Sequence, residues 1–167
     1  MIHADIKRYN LSANGLIKGL FTGHGFYAVL HYRIANWLYR HHIKFLPDVI
    51  TFRNIRRHGC EISPVATIGG GMLIHHTMGI VIGCFVHAGR NLEIFQNVTI
   101  GSNRKEKAGR VMPLIGDNVT IGSGAVVVGP IIIGNNVSIG ANSYVDKDIP
   151  DNAIVAGIPA KIIRYKI

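Results

Sequence analysis

The sequence predicts a mainly β fold: a solenoid of short strands with a short N-terminal α-helical cap and one loop thrown outward from a corner. Three observations lead to this prediction. Aliphatic residues recur at every sixth position over two long runs, glycine often follows them, and one charged segment interrupts the period. A period of six fits neither a helix nor a simple alternating strand. It is typical of a β-solenoid in which each hexad forms one side and one corner of a triangular coil.

The repeat occupies residues 59–150. The aliphatic side chain of each hexad is expected to point into a narrow interior, and glycine allows the corner dihedrals that a Cβ would oppose. Three hexads close one coil, so the two runs predict roughly four coils, above the minimum of about three for a stable stack. A sandwich of alternating strands is the alternative, and it does not explain the spacing. The thirteen positions are Ile62, Ile68, Ile74, Ile80, Val86, Leu92, Val98, Ile115, Ile121, Val127, Ile133, Ile139 and Val145.

The period breaks once, between Val98 and Ile115, where the spacing is one residue short of three hexads. The segment 102–112 within this break is charged and contains glycine, so we expect a loop at a solenoid corner. Polar loops on rigid scaffolds often carry function. A tolerated insertion is the alternative interpretation.

Residues 1–58 follow a helical pattern instead. Within 25–39 the residues at helical spacing are Phe26, Val29, Leu30, Arg33, Ile34, Trp37 and Leu38, and a shorter helix is expected at 14–21. We expect these helices to cap the solenoid, because an uncovered coil end would invite edge-to-edge association. Mixed aromatic and basic residues make peripheral membrane contact the alternative. Residues 151–167 are expected to form a C-terminal tail.

Composition narrows the class of protein. Apolar residues make up 48% of the 167 positions and charged residues 16%, which excludes disorder. No run reaches the roughly 18 apolar residues of a membrane span, and the first residues lack a secretory pattern, so a cytoplasmic protein is expected. The net charge of +9 indicates an anionic partner. Because no nucleic-acid reader motif is present, we assign the charge to a phosphorylated cofactor rather than to nucleic acid.

The histidine pair His75–His76 directly follows the interior residue Ile74. Such positions on a thin solenoid face outward, toward solvent or a neighbouring subunit. Histidine titrates near neutral pH and suits general-base work on an alcohol. The alternative is that both are solvated polar residues on a sheet face.

Several segments together resemble the serine acetyltransferases. They are 62–69 (ISPVATIG), 74–83 (IHHTMGIVIG), 98–101 (VTIG), 113–125 (PLIGDNVTIGSGA) and 157–161 (GIPAK). The resemblance implies a left-handed parallel β-helix, a homotrimer, and acetyl-CoA bound in the cleft between two subunits, with no metal.

The resemblance also implies roles for single residues. His76 aligns with the catalytic base of the family, and Glu61 stands where the family has an aspartate that orients the base. The implied mechanism is direct transfer of the acetyl group, with no covalent enzyme intermediate. The implied cofactor contacts are Gly101 and Ser102 at the thioester end, Ser123 and Ala141 along the pantetheine arm, and Lys161 near the nucleotide phosphates.

The acceptor positions depart from the family. Val111 and Met112 replace an arginine–histidine pair, and His75 replaces an aspartate, so we expect His75 and Met112 in an altered acceptor subsite. A site without a carboxylate-binding arginine is not expected to select a free amino acid. The double histidine and short cap resemble the acetyltransferases of capsular and colanic-acid polysaccharide synthesis. We therefore expect an O-acetyltransferase that acts on a sugar or polysaccharide precursor.

Two other functions stay open. One is a serine O-acetyltransferase of cysteine biosynthesis. The other is a metal hydratase like the γ-type carbonic anhydrases, for which zinc would need about three converging histidines. The candidates for that site are His75, His76 and His87, and His87 is expected on another side of the triangle.

Overall fold

The computed structural model describes residues 1–10 and 25–167. Within these ranges three helices precede fifteen short strands. The helices are α1 (Ile2–Arg8), α2 (Gly25–Arg40) and α3 (Leu46–His58). The strands are β1 Cys60–Ile62, β2 Thr67–Ile68, β3 Leu73–Ile74, β4 Ile80–Ile82, β5 His87–Ala88, β6 Glu93–Ile94, β7 Thr99–Gly101, β8 Leu114–Ile115, β9 Thr120–Ile121, β10 Val126–Val128, β11 Ile132–Ile133, β12 Ser138–Ile139, β13 Tyr144–Val145, β14 Ala153–Gly157 and β15 Ala160–Tyr165. The helix expected at 14–21 lies outside the described residues.

The strands form three sheets that wrap into a solenoid of about five turns. Sheet 1 has the order β1-β4-β7-β10-β13, sheet 2 the order β2-β5-β8-β11, and sheet 3 the order β3-β6-β9-β12-β14-β15. Every pairing is parallel except that of β14 with β15. The predicted fold class is confirmed. Roughly four coils were expected, and the extra turn comes from the tail, where β14 pairs with β12.

All thirteen period-six residues are buried, with at most 5% of the side chain exposed. The period nevertheless hides a shift of two residues. Ile74 pairs with Ile94, twenty residues on, whereas Thr120 pairs with Ser138, eighteen residues on. The sequence could not reveal the shift, because both ends of β4, Ile80 and Ile82, are aliphatic and buried. Ile80 keeps the spacing of six from Ile74, although the strand register includes two more residues. The two surplus residues lie between β3 and β4.

Side chains of the helices cover the first coil and satisfy its backbone groups. The Tyr32 hydroxyl donates to the Ala66 carbonyl and accepts from the Ile68 amide. The Tyr9 hydroxyl donates to the Ile74 carbonyl and accepts from the Ile74 amide. Burial raises the pKa of both phenols, so each stays a neutral hydroxyl that donates and accepts. The open coil edge is therefore paired with side chains instead of with another strand.

A buried ion pair completes this cap. Arg33 of α2 and Asp5 of α1 lie 2.9 Å apart, with side chains 3% and 1% exposed. The guanidinium also donates to the Ile68 and Gly69 carbonyls. Asp5 accepts from two further amides of the first coil, those of Gly71 and Met72, at 2.8 and 2.9 Å. Both charges are thus hydrogen-bonded on several sides, which a buried pair requires.

The buried face of α2 differs from the predicted apolar stripe. Ile34 and Trp37 were expected on that face, but they are 42% and 55% exposed. Arg33, which belongs to the predicted set, is buried, and so is Asn36, which does not belong to it and which donates to the Pro64 carbonyl at 2.8 Å. The reason is that the face meets a coil edge rich in unpaired backbone carbonyls, so polar side chains stabilise the contact better than aliphatic ones.

Helix α3 was not predicted from the helical spacing of apolar residues. Its boundaries carry local signals, with Pro47 in the first turn and Gly59 in the left-handed C-cap conformation at φ 61°. The helix ends at His58 and β1 begins at Cys60, beside the predicted division at residues 58 and 59. At the other end, β14 and β15 form an antiparallel hairpin within the tail 151–167.

Candidate active site

His76 lies in the corner that carries the two surplus residues. We call the corners joining sheet 3 to sheet 1 the 3/1 corners, and residues 75–79 form the one between β3 and β4. His75 stacks on Phe95 of the next coil at 4.2 Å, and the Asn97 amide donates to the Met78 carbonyl. Between these matched positions, His76 and Thr77 have no counterpart in the next coil. Thr77 turns inward and is 4% exposed, whereas His76 is exposed.

A cavity of about 570 Å³ opens at this corner. Its walls are the corner residues His75 to Met78, Arg57 and His58 near the end of α3, and Gly25 at the start of α2. The cap therefore forms one wall of the cavity and the solenoid forms the other. Arg57 and His58 were missed by the sequence analysis because α3 was not singled out.

His75, expected at the acceptor subsite, has an established set of contacts. Its Nε2 lies 2.8 Å from a Glu93 oxygen, and the other Glu93 oxygen lies 2.9 Å from Arg8 of α1. The ring also stacks on Phe95 with an interplanar angle of 11°. His75 lines the same cavity as His76, and this network ties the cavity wall to α1.

Glu61 lies at the middle of β1 with its side chain exposed on the outer face of sheet 1. It pairs with Val81 of β4, and it does not line the cavity of His76. Among the described residues, no hydrogen bond joins the Glu61 carboxylate to the His76 ring. The orienting role of Glu61 stays a prediction.

Three of the predicted cofactor residues follow the 3/1 corners along the solenoid. Ser123 and Ala141 are stacked one coil apart, and the Ser123 carbonyl accepts from the amide that follows Ala141, at 2.8 Å. Lys161 lies on β15 opposite Ala156, which packs on Gly140. The structure thus brings these positions to the edge that also carries His76.

Gly101 and Ser102 lie at the opposite end of the sheet 1 strand, where sheet 1 turns toward sheet 2. We call this the 1/2 corner. Gly101 ends β7 and faces open space, and the Ser102 hydroxyl accepts from the Arg104 amide at 2.9 Å. Met112 lies at a 1/2 corner as well, packed against Gly83. Within one chain, therefore, these residues do not meet His76.

The loop 102–112 is fixed to the solenoid at several points. Lys107 and Arg110 exchange two backbone hydrogen bonds around a tight turn at Ala108 and Gly109, both with positive φ. The Lys107 ammonium lies 3.1 Å from Asp148. A second cavity, of about 520 Å³, opens beside the loop, and its lining residues are Phe85, His87, Gly109, Arg110, Val111, Met112 and Leu114.

The Asp148 contacts predict a pH dependence. A hydrogen bond from the Ile132 amide, then one from Lys107, lowers the pKa of Asp148 below its ordinary value. A carboxylate with a depressed folded-state pKa adds stability above its unfolded pKa of about 3.9 and loses it as pH falls through the folded value. Asp148→Asn should therefore lower Tm at neutral pH and flatten its fall below about pH 4. Thermal unfolding followed from pH 2 to 7 measures this, and parallel curves for both proteins would contradict it.

Cys60 lies buried in β1, and the histidines considered for zinc do not converge among the described residues. Burial raises the pKa of the Cys60 thiol to about 12, so it stays protonated. The histidines considered for zinc are separated, since His75 and His76 lie at a 3/1 corner and His87 on β5 of sheet 2. In the part of the chain that the structure describes, no group of three or more His, Cys, Asp or Glu side chains could hold a metal ion.

Comparison with known proteins identifies the family. The model of the bacterial transferase hexapeptide family, with six repeats, matches residues 112–147. The serine acetyltransferase of Bacillus pumilus is 40% identical over 152 residues, which are 91% of this chain and 70% of that protein. The chain belongs to the serine acetyltransferase family. The predicted acetyl-CoA-dependent acetyltransferase is thereby confirmed.

Solved serine acetyltransferases share the fold over almost the whole chain. The Brucella abortus enzyme in complex with coenzyme A aligns with a TM-score of 0.89 and 31% identity, over 99% of this chain and 67% of that one. The Neisseria gonorrhoeae enzyme in complex with serine aligns with a TM-score of 0.86 and 33% identity, over 98% and 67%. The expected closer likeness to capsular and colanic-acid acetyltransferases is not supported, because these relatives are serine acetyltransferases. None of the helices within residues 1–10 and 25–167 is long and apolar enough to cross a membrane.

Proposed function

We propose that this member of the serine acetyltransferase family transfers the acetyl group of acetyl-CoA to the side-chain hydroxyl of L-serine, with His76 as general base. The observation that carries the proposal is the position of His76. It is exposed on a corner lengthened by two residues, it opens into a cavity of about 570 Å³, and it lies on the edge followed by the predicted cofactor residues. The relatives that bind coenzyme A and serine support the choice of both substrates.

The proposed reaction is a direct acyl transfer. The His76 imidazole takes the proton of the serine hydroxyl while the hydroxyl oxygen attacks the thioester carbonyl. The carbonyl oxygen then carries negative charge, and a backbone N–H near Gly101 or Ser102 stabilises it. When the C–S bond breaks, the thiolate of coenzyme A leaves and receives the proton from the imidazolium. The products are O-acetylserine and coenzyme A, and no enzyme nucleophile is needed.

The cofactor is proposed to lie across the outer face of sheet 1. Gly101 and Ser102 mark one end of the strands, and Ser123 and Ala141 mark the other. Three strand residues span about 10 Å, so an extended pantetheine arm on this face would contact both groups. Lys161, on the hairpin at the end of the same corner edge, would meet the nucleotide phosphates.

The acceptor subsite is proposed to need a second copy of the chain. His75 and His76 lie at a 3/1 corner, whereas Met112 lies at a 1/2 corner of the same chain. The two kinds of corner lie at opposite ends of the sheet 1 strands. A site that contains both therefore takes the histidines from one copy and the loop from its neighbour. The homotrimer implied by the sequence resemblance would provide three such sites.

One observation favours a second acceptor class. Val111 and Met112 give the cavity beside the loop an apolar wall, which suits a sugar ring or a lipid-linked glycan better than it suits a small zwitterion. Transfer to a sugar hydroxyl would use the same base and the same cofactor.

An acceptor screen separates the two classes. The purified protein is incubated with acetyl-CoA and L-serine, a neutral sugar or a nucleotide sugar, and thiol release is followed. We expect L-serine to give the highest kcat/KM, and mass spectrometry should identify O-acetylserine. Turnover of a sugar acceptor with none of L-serine would reject the serine proposal and leave the acetyltransfer chemistry standing.

A further inference from the structure

The positive charge of the protein is concentrated in the segment that forms the helical cap. Residues 1–58 contain nine of the eighteen Lys and Arg residues but only two of the nine Asp and Glu residues, and so carry +7 of the net charge of +9. Lys161, which is proposed to meet the cofactor phosphates, lies on β15 at the other end of the solenoid. Coenzyme A therefore does not account for the charge of the cap, which indicates a second anionic partner.

Helix α3 presents part of this charge on the side that faces away from the solenoid. Its buried residues are Pro47, Asn54 and His58. We call the opposite side the outer α3 face, and its residues are Leu46, Val49, Phe52, Arg53 and Arg56, all of them exposed. The Arg56 guanidinium lies over the Phe52 ring, 5.8 Å from its centroid. The outer α3 face thus combines apolar side chains with arginines on one side of a helix.

The turn before α3 holds Phe45 outward in a strained backbone conformation. Phe45 has φ 73° and ψ −48°, and the Leu46 amide donates to the Lys44 carbonyl at 2.9 Å. These are the features of a γ-turn with positive φ at its centre, the rare and strained form of that turn. The Phe45 side chain is 75% exposed, so the strain is not offset by burial of the ring within the chain. A strained backbone that displays an aromatic ring to solvent indicates a contact made outside the chain.

We propose that Phe45 and the outer α3 face bind the surface of an anionic lipid bilayer. The rings of Phe45 and Phe52 would enter the boundary between headgroups and acyl chains, where aromatic side chains are favoured. Arg53 and Arg56 would meet the lipid phosphates while their stems stay against the apolar side chains. Capping and membrane contact, which are alternatives for the sequence alone, thus use opposite sides of one helix. The proposal does not depend on which acceptor the enzyme uses.

Two other occupants fit this face less well. A second copy of the chain that bound through the same face would bring Arg53 and Arg56 against their own like charges. An acidic protein would match the arginines, but the apolar residues lie on a convex helix and form no pocket for a partner's side chains. A lipid surface satisfies both features, because it is anionic and deforms around a convex helix.

Flotation with lipid vesicles tests the proposal. Vesicles of phosphatidylcholine mixed with an equal amount of phosphatidylglycerol should bind the wild type, and vesicles of phosphatidylcholine alone should not. Because the attraction is partly electrostatic, the bound fraction should fall as KCl is added. Phe45→Gly should weaken binding about 10-fold, since an exposed ring no longer enters the bilayer. Arg53→Gln/Arg56→Gln should weaken it about 25-fold, or about 5-fold for each charge.

Matched variants at the other end of the solenoid provide the controls. Tyr165→Gly removes an exposed ring from β15, and Arg164→Gln/Lys166→Gln removes two exposed charges near the same strand. Both should bind vesicles as the wild type does. Glycine adopts a positive φ without strain, so Phe45→Gly should also keep the wild-type Tm, which shows that its loss of binding is not a loss of folding.

The remaining outcomes decide against the proposal. It fails if the wild type does not float with the anionic vesicles, or if both pairs of charge variants weaken binding equally, which would indicate attraction by net charge alone. Binding to polyglutamate without binding to vesicles would identify an acidic protein as the partner. A change of molar mass in Phe45→Gly without vesicle binding would identify a second copy. Thiol release in the absence of vesicles tests the proposed function separately, and the cap variants should retain it.

Discussion

His76→Ala is expected to lower kcat for L-serine acetylation by roughly 10²–10⁴-fold, the usual contribution of a positioned general base. The physical reason is that the serine hydroxyl is a weak nucleophile until a base accepts its proton in the transition state. Affinity for coenzyme A should not change, because the predicted cofactor contacts lie elsewhere on the corner edge and on the loop. Assays that follow the release of the coenzyme A thiol give kcat, and calorimetry with coenzyme A gives its Kd.

Two comparisons make this result specific. His41→Ala removes an exposed histidine at the end of α2, outside the cavity of His76, and should retain wild-type kcat. Added imidazole should restore part of the activity of His76→Ala, since the truncated side chain leaves room for a diffusible base. Full activity of His76→Ala without imidazole would remove His76 from the mechanism.

Arg33→Met is expected to lower the free energy of unfolding by about 3–5 kcal/mol, as the breaking of a buried ion pair does. The substitution leaves the Asp5 carboxylate buried at 1% exposure without its cation. It also removes the donors to the Ile68 and Gly69 carbonyls at the edge of the first coil. Urea unfolding followed by circular dichroism measures the change through the midpoint concentration.

An exposed arginine on the same helix provides the control. Arg40→Met should change stability by less than about 0.5 kcal/mol, because Arg40 makes one exposed contact, at 3.4 Å, with Thr67. The double variant Asp5→Leu/Arg33→Met should be less destabilised than the sum of the single changes, since no unpaired charge stays buried. Equal effects of Arg33→Met and Arg40→Met would show that the cap does not stabilise the solenoid.

The interior of the solenoid could be predicted from the sequence because its packing depends only on spacing. Each buried aliphatic residue, from Ile62 to Val145, is positioned by a period that no other fold imposes. The shift between β3 and β4 could not be predicted, because both inward positions of a short strand are aliphatic. A shift of two residues keeps the same face of β4 turned inward, so the pattern of apolar residues does not report the pairing register there.

The cap was harder to predict because its contacts are polar. Helical spacing correctly indicated α2, but a rule that places apolar residues inside assigned Trp37 to the wrong face. The partners of Arg33 and Asn36 are backbone carbonyls of a coil edge, and a sequence does not show which carbonyls lack a strand neighbour. Burial here follows from unpaired hydrogen-bond groups and not from hydropathy.

The candidate site was predicted in part. The residues His75 and His76 could be found because two adjacent histidines directly follow the interior residue Ile74, and histidine is the residue type that acid–base chemistry uses. The Glu93 partner of His75 depends on a contact between neighbouring coils. The sequence alone does not reveal such a contact, and the expected acceptor preference therefore depended on the residue types at positions 75, 111 and 112.

The corner that carries His76 places the proposed reactive side chain outside the repeating positions that build the solenoid. His76 and Thr77 are supernumerary to the repeat, so the aliphatic ladder keeps its spacing above and below them whichever side chain stands at position 76. Evolution can therefore exchange the reactive group of such a scaffold without having to redesign the stack that displays it.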